Sequence, residues 1–213
     1  MLIFVGVGPG DPELMTRKAE RALREADAIA LADKGAARRI VEHCIAGKPV
    51  LELKLPMAGN RADWESAHAR AAEELLDWLS RHARIAYPVL GDPGIYASSS
   101  YLLRLIRRRH PCEVIPGVPA MCAAAAALGV PLCEQHEGLS VLDSFEAGQS
   151  LPDGNAVVMK SGRKIDDLRR ACTGREAYAA RNLGMADEWL GPLGDMPDAN
   201  YSYFTTVVVK PRA

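Results

Sequence analysis

Two glycine-rich turns that each carry an aspartate are the stretches of the chain most suited to chemistry. The first is Gly6-Val-Gly-Pro-Gly-Asp-Pro12, and the second is Gly91-Asp92-Pro93-Gly94. Glycine has no Cβ and lets a ligand approach the backbone, and proline stiffens a loop. The carboxylate of Asp92 can accept hydrogen bonds from ligand hydroxyl or amine groups, or it can bond loop N–H groups as an Asx-turn. The turn alone leaves both interpretations open.

The elements around the second turn indicate where it lies in a fold. An apolar run, Ile85 to Leu90, precedes it, and a helical pattern with Tyr101 and Leu105 begins near Ser98. Ligands bind outside the carboxyl ends of strands in open α/β sheets, where such loops lie. The first turn lacks the third glycine of the dinucleotide fingerprint and is a stiffer structure. We therefore expect two ligand-facing loops at strand ends.

Composition places the chain among ordinary globular proteins. It has 213 residues, enough for one large domain or two small ones, and a formal net charge of −1, which does not predict nucleic-acid binding. No apolar run approaches the ~20 residues of a membrane span, and the N-terminus resembles a first strand more than a signal peptide. Five widely spaced cysteines and five histidines show no metal-ligand spacing. Free thiols, a cytoplasmic location and no metal site are predicted.

Hydrophobic periodicity predicts an α/β protein in two parts. Alternating strands and helices before residue 111 favour a parallel sheet, whereas dense strands after residue 112 favour partly antiparallel structure. We predict domains at 1–111 and 112–213. The predicted strands are 2–7, 28–32, 49–53, 85–90, 113–115, 139–142, 156–160, 176–179 and 205–210, and the predicted helices are 16–26, 40–44, 64–79, 98–107, 120–128 and 166–171.

Two helices allow more than one interpretation. The helix from Trp64 to Leu79 has apolar residues at helical spacing and a charged opposite face, which is most simply core packing. The helix from Ala120 to Leu128 has almost only small side chains. Such a helix lets a flat ligand or another backbone come close, or it packs tightly into a core.

The ordered set of motifs resembles the tetrapyrrole methylases. It consists of Gly6-Val-Gly-Pro-Gly-Asp-Pro12, Leu90-Gly-Asp-Pro-Gly-Ile-Tyr96, Val114-Ile-Pro-Gly-Val-Pro-Ala120 and Leu128-Gly-Val-Pro-Leu132. Leu55-Pro-Met57, Tyr101, Val158-Met-Lys-Ser-Gly-Arg163 and Tyr203-Phe204 are similar to the precorrin-2 C20-methyltransferase group of that family. The segment 133–155 is shorter than in the group, and Asn182-Leu183 replaces a small residue and threonine.

The resemblance implies two α/β domains with S-adenosyl-L-methionine in the cleft between them. It implies a C-methyltransferase of cobalamin biosynthesis that acts on a reduced tetrapyrrole, at C20 of precorrin-2 or of cobalt-factor II. Asp92 or Tyr96 would serve as a catalytic base, with water as the alternative. By position in the motifs, the residues implied to bind the cofactor are Pro9, Leu90, Gly91, Asp92, Ile95, Tyr96, Ala120, Met121, Ser161, Asn182 and Leu183.

The substrate class carries many carboxylates, which arginine and lysine donors match. The candidates on loops at early strand ends are Arg17, Lys18, Lys34, Arg38 and Arg61. The resemblance also implies a homodimer, for which the three tryptophans supply apolar area, with no nucleic-acid or membrane partner. The alternatives are another methyltransferase of the family, acting on a different corrin position, rRNA or diphthamide, and a non-catalytic paralogue that binds cofactor or tetrapyrrole.

Overall fold

A computed structural model describes residues 1–32, 35–56, 60–197 and 202–211. The chain divides into two compact units, Met1–Val118 and Pro119–Ala213. The division falls after Val118 and not after residue 111, because the strand Cys112–Ile115 pairs with the N-terminal strand Leu2–Gly6 and so completes the first sheet. Two units are as expected, and the first extends beyond residue 111, where the pattern of strands and helices changes.

The first unit is a parallel sheet with helices on both faces. Its strands have the order β3-β2-β4-β1-β5, and each described pairing is parallel. The strands are β1 (Leu2–Gly6), β2 (Ala28–Ala32), β3 (Val50–Leu53), β4 (Ile85–Val89) and β5 (Cys112–Ile115), and the helices are α1 (Arg17–Glu25), α2 (Ala36–Ile45), α3 (Arg61–Leu79) and α4 (Ser99–Ile106).

The two faces of this sheet carry separate apolar cores. Leu23 of α1 and Val41 of α2 pack with Ile3 and Val5 on one face. On the other face Leu75 of α3 and Leu102 and Ile106 of α4 pack with Leu2 and Phe4. Because both faces are covered, β1 is buried along its whole length, which explains its continuous apolar sequence.

The order of the strands creates a switch point between β1 and β4. The chain leaves β1 into α1 on one face, whereas it leaves the neighbouring β4 into α4 on the opposite face. Loops that diverge in this way open a crevice at the carboxyl edge, where ligands of doubly wound sheets bind. Both Gly-Asp-Pro turns therefore start at the crevice, as the sequence predicts.

The second unit contains a mixed sheet of order β6-β7-β10-β8-β9. The pair β6 and β7 is parallel, and the other described pairs are antiparallel. α5 packs against β8, β9 and β10. The strands are β6 (Leu139–Leu142), β7 (Asn155–Val158), β8 (Ala177–Arg181), β9 (Trp189–Pro192) and β10 (Thr205–Val209), and the helices are α5 (Ala120–Leu128) and α6 (Ile165–Ala171).

The first Gly-Asp-Pro turn continues into two successive caps. Both Asp11 and Thr16 cap a helical segment. The carboxylate of Asp11 accepts from the backbone N–H of Glu13 at 2.8 Å and starts a single 3₁₀ turn, Pro12–Leu14. The hydroxyl of Thr16 accepts from the N–H of Ala19 at 3.1 Å and starts α1.

Among the described residues, no helix is long and apolar enough to cross a bilayer.

Candidate active site

The two glycine-rich turns are joined directly by their backbones. The N–H of Gly91 donates to the carbonyl of Gly8 at 2.7 Å, and the N–H of Gly8 donates to the carbonyl of Gly91 at 3.3 Å. Both glycines have positive φ, +81° for Gly8 and +71° for Gly91, which other residues adopt only with strain. The turns after β1 and β4 therefore form one fixed structure at the switch point.

A third backbone, from the segment after β5, packs against this pair. A Cβ on Gly117 would lie 2.2 Å from the carbonyl oxygen of Gly91, and a Cβ on Gly6 would lie 2.4 Å from the N of Gly117. Neither position has room for a side chain. These glycines permit three strand ends to meet, which is a structural role. From the sequence, the glycines of the turns were expected to let a ligand approach the backbone.

Asp92 connects two of the three segments through its carboxylate. Oδ1 accepts from the N–H of Gly94 at 2.7 Å, and Oδ2 accepts from the N–H of Gly117 at 2.9 Å. The first bond is the Asx-type turn that the sequence allowed, and the second reaches across to the segment after β5. The half-buried carboxylate retains acceptor capacity toward a ligand, because each oxygen has two lone pairs.

The other candidate site residues of the first unit lie on the same two loops, after β1 and after β4. Pro9 is buried, Leu90 and Ile95 are half-buried, and Leu90 packs against the α1–α2 core. Tyr96 has a φ of +47° and a side chain that is 46% exposed. A left-handed tyrosine costs free energy, and such strain is concentrated at functional sites. The structure therefore brings Pro9, Leu90, Gly91, Asp92, Ile95 and Tyr96 to one edge of the sheet.

In the second unit, Ser161 lies where β7 ends beside the start of β10. Its buried hydroxyl lies 2.9 Å from the carbonyl oxygen of Val158 and 3.1 Å from that of Thr205. A Cβ on the next residue, Gly162, would be 1.9 Å from the carbonyl oxygen of Ser202. The turn after β7 is therefore held tightly against the segment that enters β10.

Asn182 fixes the end of β8 at the same edge. Its backbone is left-handed, with φ of +51°, and its N–H donates to the carbonyl of Phe204 at 2.8 Å. Its side-chain amide donates to the carboxylate of Asp187 at 2.7 Å, and its oxygen accepts from the hydroxyl of Ser202. Ser161 and Asn182 are thus brought together through Ser202, which the sequence did not single out because neither spacing nor periodicity marks a three-way contact.

Ala120 and Met121 occupy the first turn of α5, where both are half-buried. The fully buried positions of the helix are Ala123 and Ala124. Ala120 lies on the same helical face as Ala123 and Ala124, but at the start of the helix it is less completely covered. That partial exposure keeps the interpretation of this helix start as a ligand wall available. Leu183, after Asn182, is also half-buried.

Most of the basic substrate candidates are engaged in ion pairs with neighbouring carboxylates. Arg17 is exposed at the start of α1, and Lys34 lies outside the described residues. An ion pair between exposed side chains is weak, so a ligand carboxylate can replace the protein carboxylate in it. The pairs are Lys18 with Glu113 at 2.7 Å, Arg38 with Glu52, and Arg61 with Glu65 at 2.7 Å.

An aromatic cluster where α3 and α4 pack together was missed by the sequence analysis, which assigned Trp64 to the core. The Trp64 ring lies on the imidazole of His68 with centroids 3.7 Å apart, and the Tyr101 ring meets Trp64 edge-on at 4.2 Å. Trp64 is only half-buried and Tyr101 is 41% exposed. The helical spacing predicted the helix correctly, but it did not show that Trp64 and Tyr101 reach the surface.

One group of metal-ligating side chains is brought together elsewhere in the first unit. Ligand atoms of Glu20, His43 and Cys44 lie within 4.8 Å of one another. Arg24 donates to the same Glu20 carboxylate at 2.7 Å, so an ion pair already engages one of the three groups. Burial raises the pKa of the Cys44 thiol, which disfavours the thiolate that a metal needs.

A family model for the tetrapyrrole (corrin/porphyrin) methylases matches residues 1–196. The chain belongs to this family. A precorrin-2 C(20)-methyltransferase from Sinorhizobium sp is 34% identical to this chain over an alignment of 233 positions. The alignment covers 98% of this chain and 94% of the relative. A probable cobalt-precorrin-2 C(20)-methyltransferase from Methanocaldococcus jannaschii is 33% identical over 210 residues, which cover 94% and 90%.

The fold of the methylase also matches solved structures. Uroporphyrin-III C-methyl transferase from Thermus thermophilus, complexed with S-adenyl homocysteine, superposes with a TM-score of 0.67 at 23% identity. The match covers 98% of this chain and 96% of that protein. The two-unit α/β architecture predicted from the sequence is confirmed.

The residues of the methylase suit S-adenosyl-L-methionine chemically. In the first unit, the Asp92 carboxylate can accept from amine or hydroxyl groups, and Leu90 and Ile95 offer half-buried apolar surface. In the second unit, Ala120 and Met121 offer a small side chain and a thioether at a helix start. A sulfonium cofactor combines amine, hydroxyl and apolar parts, and the residues of each unit offer partners for some of these parts.

Proposed function

We propose that the protein is an S-adenosyl-L-methionine-dependent C-methyltransferase of cobalamin biosynthesis. Its substrate is a reduced tetrapyrrole, precorrin-2 or its cobalt-containing counterpart, and the methylated position is C20. The observation that carries the proposal is the match to a precorrin-2 C(20)-methyltransferase over nearly the whole of both chains. The fixed loops at the switch point between β1 and β4 are consistent with it, because ligands of such sheets bind there.

The reaction is an in-line displacement at a methyl group. The substrate carbon, which is nucleophilic as part of an enamine, forms the C–CH₃ bond as the S–CH₃ bond breaks. S-adenosylhomocysteine leaves with the electron pair, and the methylated carbon then loses its proton to a base. The protein accelerates this step mainly by holding the reacting atoms in line and excluding water.

The backbone arrangement of the first unit suits that positioning task. In our proposal the Asp92 loop, tied to Gly8 and to Gly117, presents main-chain groups and one carboxylate to the cofactor. Preorganised groups lose little freedom on binding, so more of the interaction energy is available for orientation. Asp92 or Tyr96 accepts the departing proton in this proposal, with water as the alternative acceptor.

Basic side chains of the first unit are the proposed hydrogen-bond donors to the carboxylates of the substrate. We propose that Arg17, Lys18, Lys34, Arg38 and Arg61 serve the acetate and propionate arms. For Lys18, Arg38 and Arg61 this requires exchange of a neighbouring glutamate for a substrate carboxylate.

The decisive experiment is incubation with isotopically labelled S-adenosyl-L-methionine and either precorrin-2 or cobalt-factor II. We expect one labelled methyl group in the product, placed at C20 by mass spectrometry and NMR. A label at another ring carbon would reassign the position. Cofactor binding without transfer to either substrate would favour the non-catalytic paralogue.

We further propose a cytoplasmic homodimer that binds no nucleic acid. The five cysteines are free, which suits a reducing compartment. Exposed Leu105 and Val114 supply apolar area for a second copy. Sedimentation at micromolar concentration is expected to show a dimer, and a monomer under these conditions would contradict the proposal.

A further inference from the structure

Two buried polar side chains lie in the otherwise apolar layer between α3, α4 and the sheet. His68 of α3 is 2% exposed, and Ser99 of α4 is 3% exposed. Farther along the same helices the buried positions are apolar, as at Leu75 and Leu102. His68 and Ser99 both lie toward the helix N-termini, at the carboxyl edge of the sheet where the candidate site begins.

The hydrogen bonding of His68 fixes which ring nitrogen is available. Nδ1 lies 2.8 Å from the carbonyl oxygen of Trp64, which can only accept, so Nδ1 carries a proton. In the neutral ring Nε2 then presents a lone pair. Within residues 1–32, 35–56, 60–197 and 202–211, neither Nε2 of His68 nor Oγ of Ser99 has a hydrogen-bond partner.

Unpaired buried polar atoms are uncommon in native proteins, because the unfolded chain hydrogen-bonds the same atoms to water. Alanine avoids this cost, and it is the residue used beside His68 at Ala67, Ala71 and Ala72. The histidine and the serine therefore need a reason other than filling space. A ligand that supplies the missing partners is such a reason.

The surface over His68 has the character of a wall for a flat conjugated ligand. The Trp64 ring covers the imidazole, and Tyr101 packs edge-on against Trp64. The guanidinium of Arg104 lies 4.4 Å from the centroid of the Tyr101 ring. The buried imidazole of His68 is thus followed toward the surface by the rings of Trp64 and Tyr101 and then by the cation of Arg104.

We propose that Nε2 of His68 and Oγ of Ser99 anchor carboxyl arms of the tetrapyrrole substrate, with Trp64 and Tyr101 against its conjugated face. The hydroxyl of Ser99 donates to one carboxyl oxygen. A protonated carboxyl group donates to Nε2 of His68, so each buried atom gains its partner. This inference rests on the proposed function, since it takes the tetrapyrrole from there. Entry of the arm at His68 requires the Trp64 ring to move.

The test measures binding and does not depend on methyl transfer. S-adenosylhomocysteine-loaded protein is titrated with uroporphyrin III, a stable carboxylated macrocycle, while Trp64 fluorescence is followed in a Trp78→Phe, Trp189→Phe background. The variants are Ser99→Ala, His68→Asn and His68→Gln, with Ser98→Ala as a matched control at the exposed neighbouring position. Asparagine keeps a donor near Nδ1 but has no group at Nε2, whereas glutamine places an amide near Nε2.

We expect Ser99→Ala and His68→Asn each to weaken uroporphyrin III binding about tenfold, which corresponds to one ordinary hydrogen bond. Binding of S-adenosylhomocysteine is unchanged, His68→Gln retains more affinity than His68→Asn, and Ser98→Ala matches the parent. The melting temperature of Ser99→Ala is not lowered, because the change removes an unpaired buried group. That combination excludes a merely structural role.

Three results would overturn the anchor. They are wild-type affinity in both Ser99→Ala and His68→Asn, rescue by His68→Asn but not by His68→Gln, and failure of the parent protein to bind uroporphyrin III or precorrin-2. A parent that binds uroporphyrin III but methylates nothing refutes the proposed function and leaves the anchor standing. If the parent and all variants methylate precorrin-2 with equal KM, the proposed function stands and the anchor is refuted.

Discussion

At the scale of single residues, Asp92 combines a structural role with a proposed functional one. Its two oxygens accept from Gly94 and Gly117 and so tie the turn after β4 to the segment after β5. The sequence allowed a turn residue or a ligand acceptor as alternatives. The second bond, across 25 residues of chain, is not a local turn and could not be foreseen from spacing.

We expect Asp92→Ala to lower both stability and cofactor affinity. Each lost charge-assisted hydrogen bond is worth about 1.5–3 kcal/mol, reduced here because the carboxylate is half-buried. Calorimetry with S-adenosylhomocysteine and thermal melts would measure the two effects. Asp11→Ala is the matched control, because Asp11 occupies the equivalent Gly-Asp-Pro position but, among the described residues, accepts only from Glu13. Equal losses in both variants would refute the connecting role of Asp92.

Gly117 gives a second prediction at this scale. Gly117→Ala places a Cβ 2.2 Å from the carbonyl oxygen of Gly91, so the backbones must separate. We expect a loss of about 1–3 kcal/mol in the free energy of unfolding, measured by urea denaturation. Gly138→Ala, where the added Cβ meets nothing within 4 Å, should change stability by less than about 0.5 kcal/mol. A Gly117→Ala protein as stable as Gly138→Ala would contradict the close approach.

At the scale of elements, the start of α5 is the part of the second unit that the cofactor proposal depends on most. Ala120, Met121 and Cys122 form its first turn, and the packed positions come later in the helix. Cys122 is exposed, and Cys133, five residues beyond the end of the helix, is exposed as well. The chain therefore carries a reporter thiol at the proposed site and a second one outside the helix.

We expect S-adenosylhomocysteine to slow modification of Cys122 by a thiol reagent while Cys133 reacts at an unchanged rate. A ligand against the first turn of α5 shields the first thiol but not the second. Rates at each cysteine are read by peptide mass spectrometry. Equal rates at Cys122 with and without ligand would remove the helix start from the site. Ala120→Phe should abolish the protection by filling the same space.

The elements show what a sequence can predict. β1 and β4 were predicted because a strand covered on both faces is a continuous apolar run. β9 was not, because Trp189-Leu-Gly-Pro192 has no alternation and contains a proline that an edge strand tolerates. The helix α3 was predicted from its spacing, yet the unpaired Nε2 of His68 was not. Hydrogen-bond satisfaction depends on neighbours from distant segments, which periodicity does not encode.

At the scale of the whole molecule, each unit contains a buried thiol that reports its unfolding. Cys44 lies in the first unit and Cys172 in the second, and burial raises the pKa of both thiols. Neither is expected to react until its own unit opens. The two cysteines therefore allow the stability of each unit to be followed separately in the intact chain.

We expect S-adenosylhomocysteine to slow the labelling of both Cys44 and Cys172 in mild denaturant. A ligand that binds only when both units are folded stabilises both by mass action, by about 2.7 kcal/mol at a hundredfold excess over Kd. Labelling with and without ligand, quenched at intervals, measures this. Protection of one thiol alone would place the cofactor on a single unit.

The position of β1 has a consequence for synthesis on the ribosome. Leu2–Gly6 emerges long before its two partners, which begin at residues 85 and 112, so this apolar strand must wait for most of the first unit to be translated. During that interval it is an unpaired edge that can associate with other nascent chains. Slow translation of the stretch before residue 112 should therefore lower the yield of folded protein unless a chaperone shields this strand.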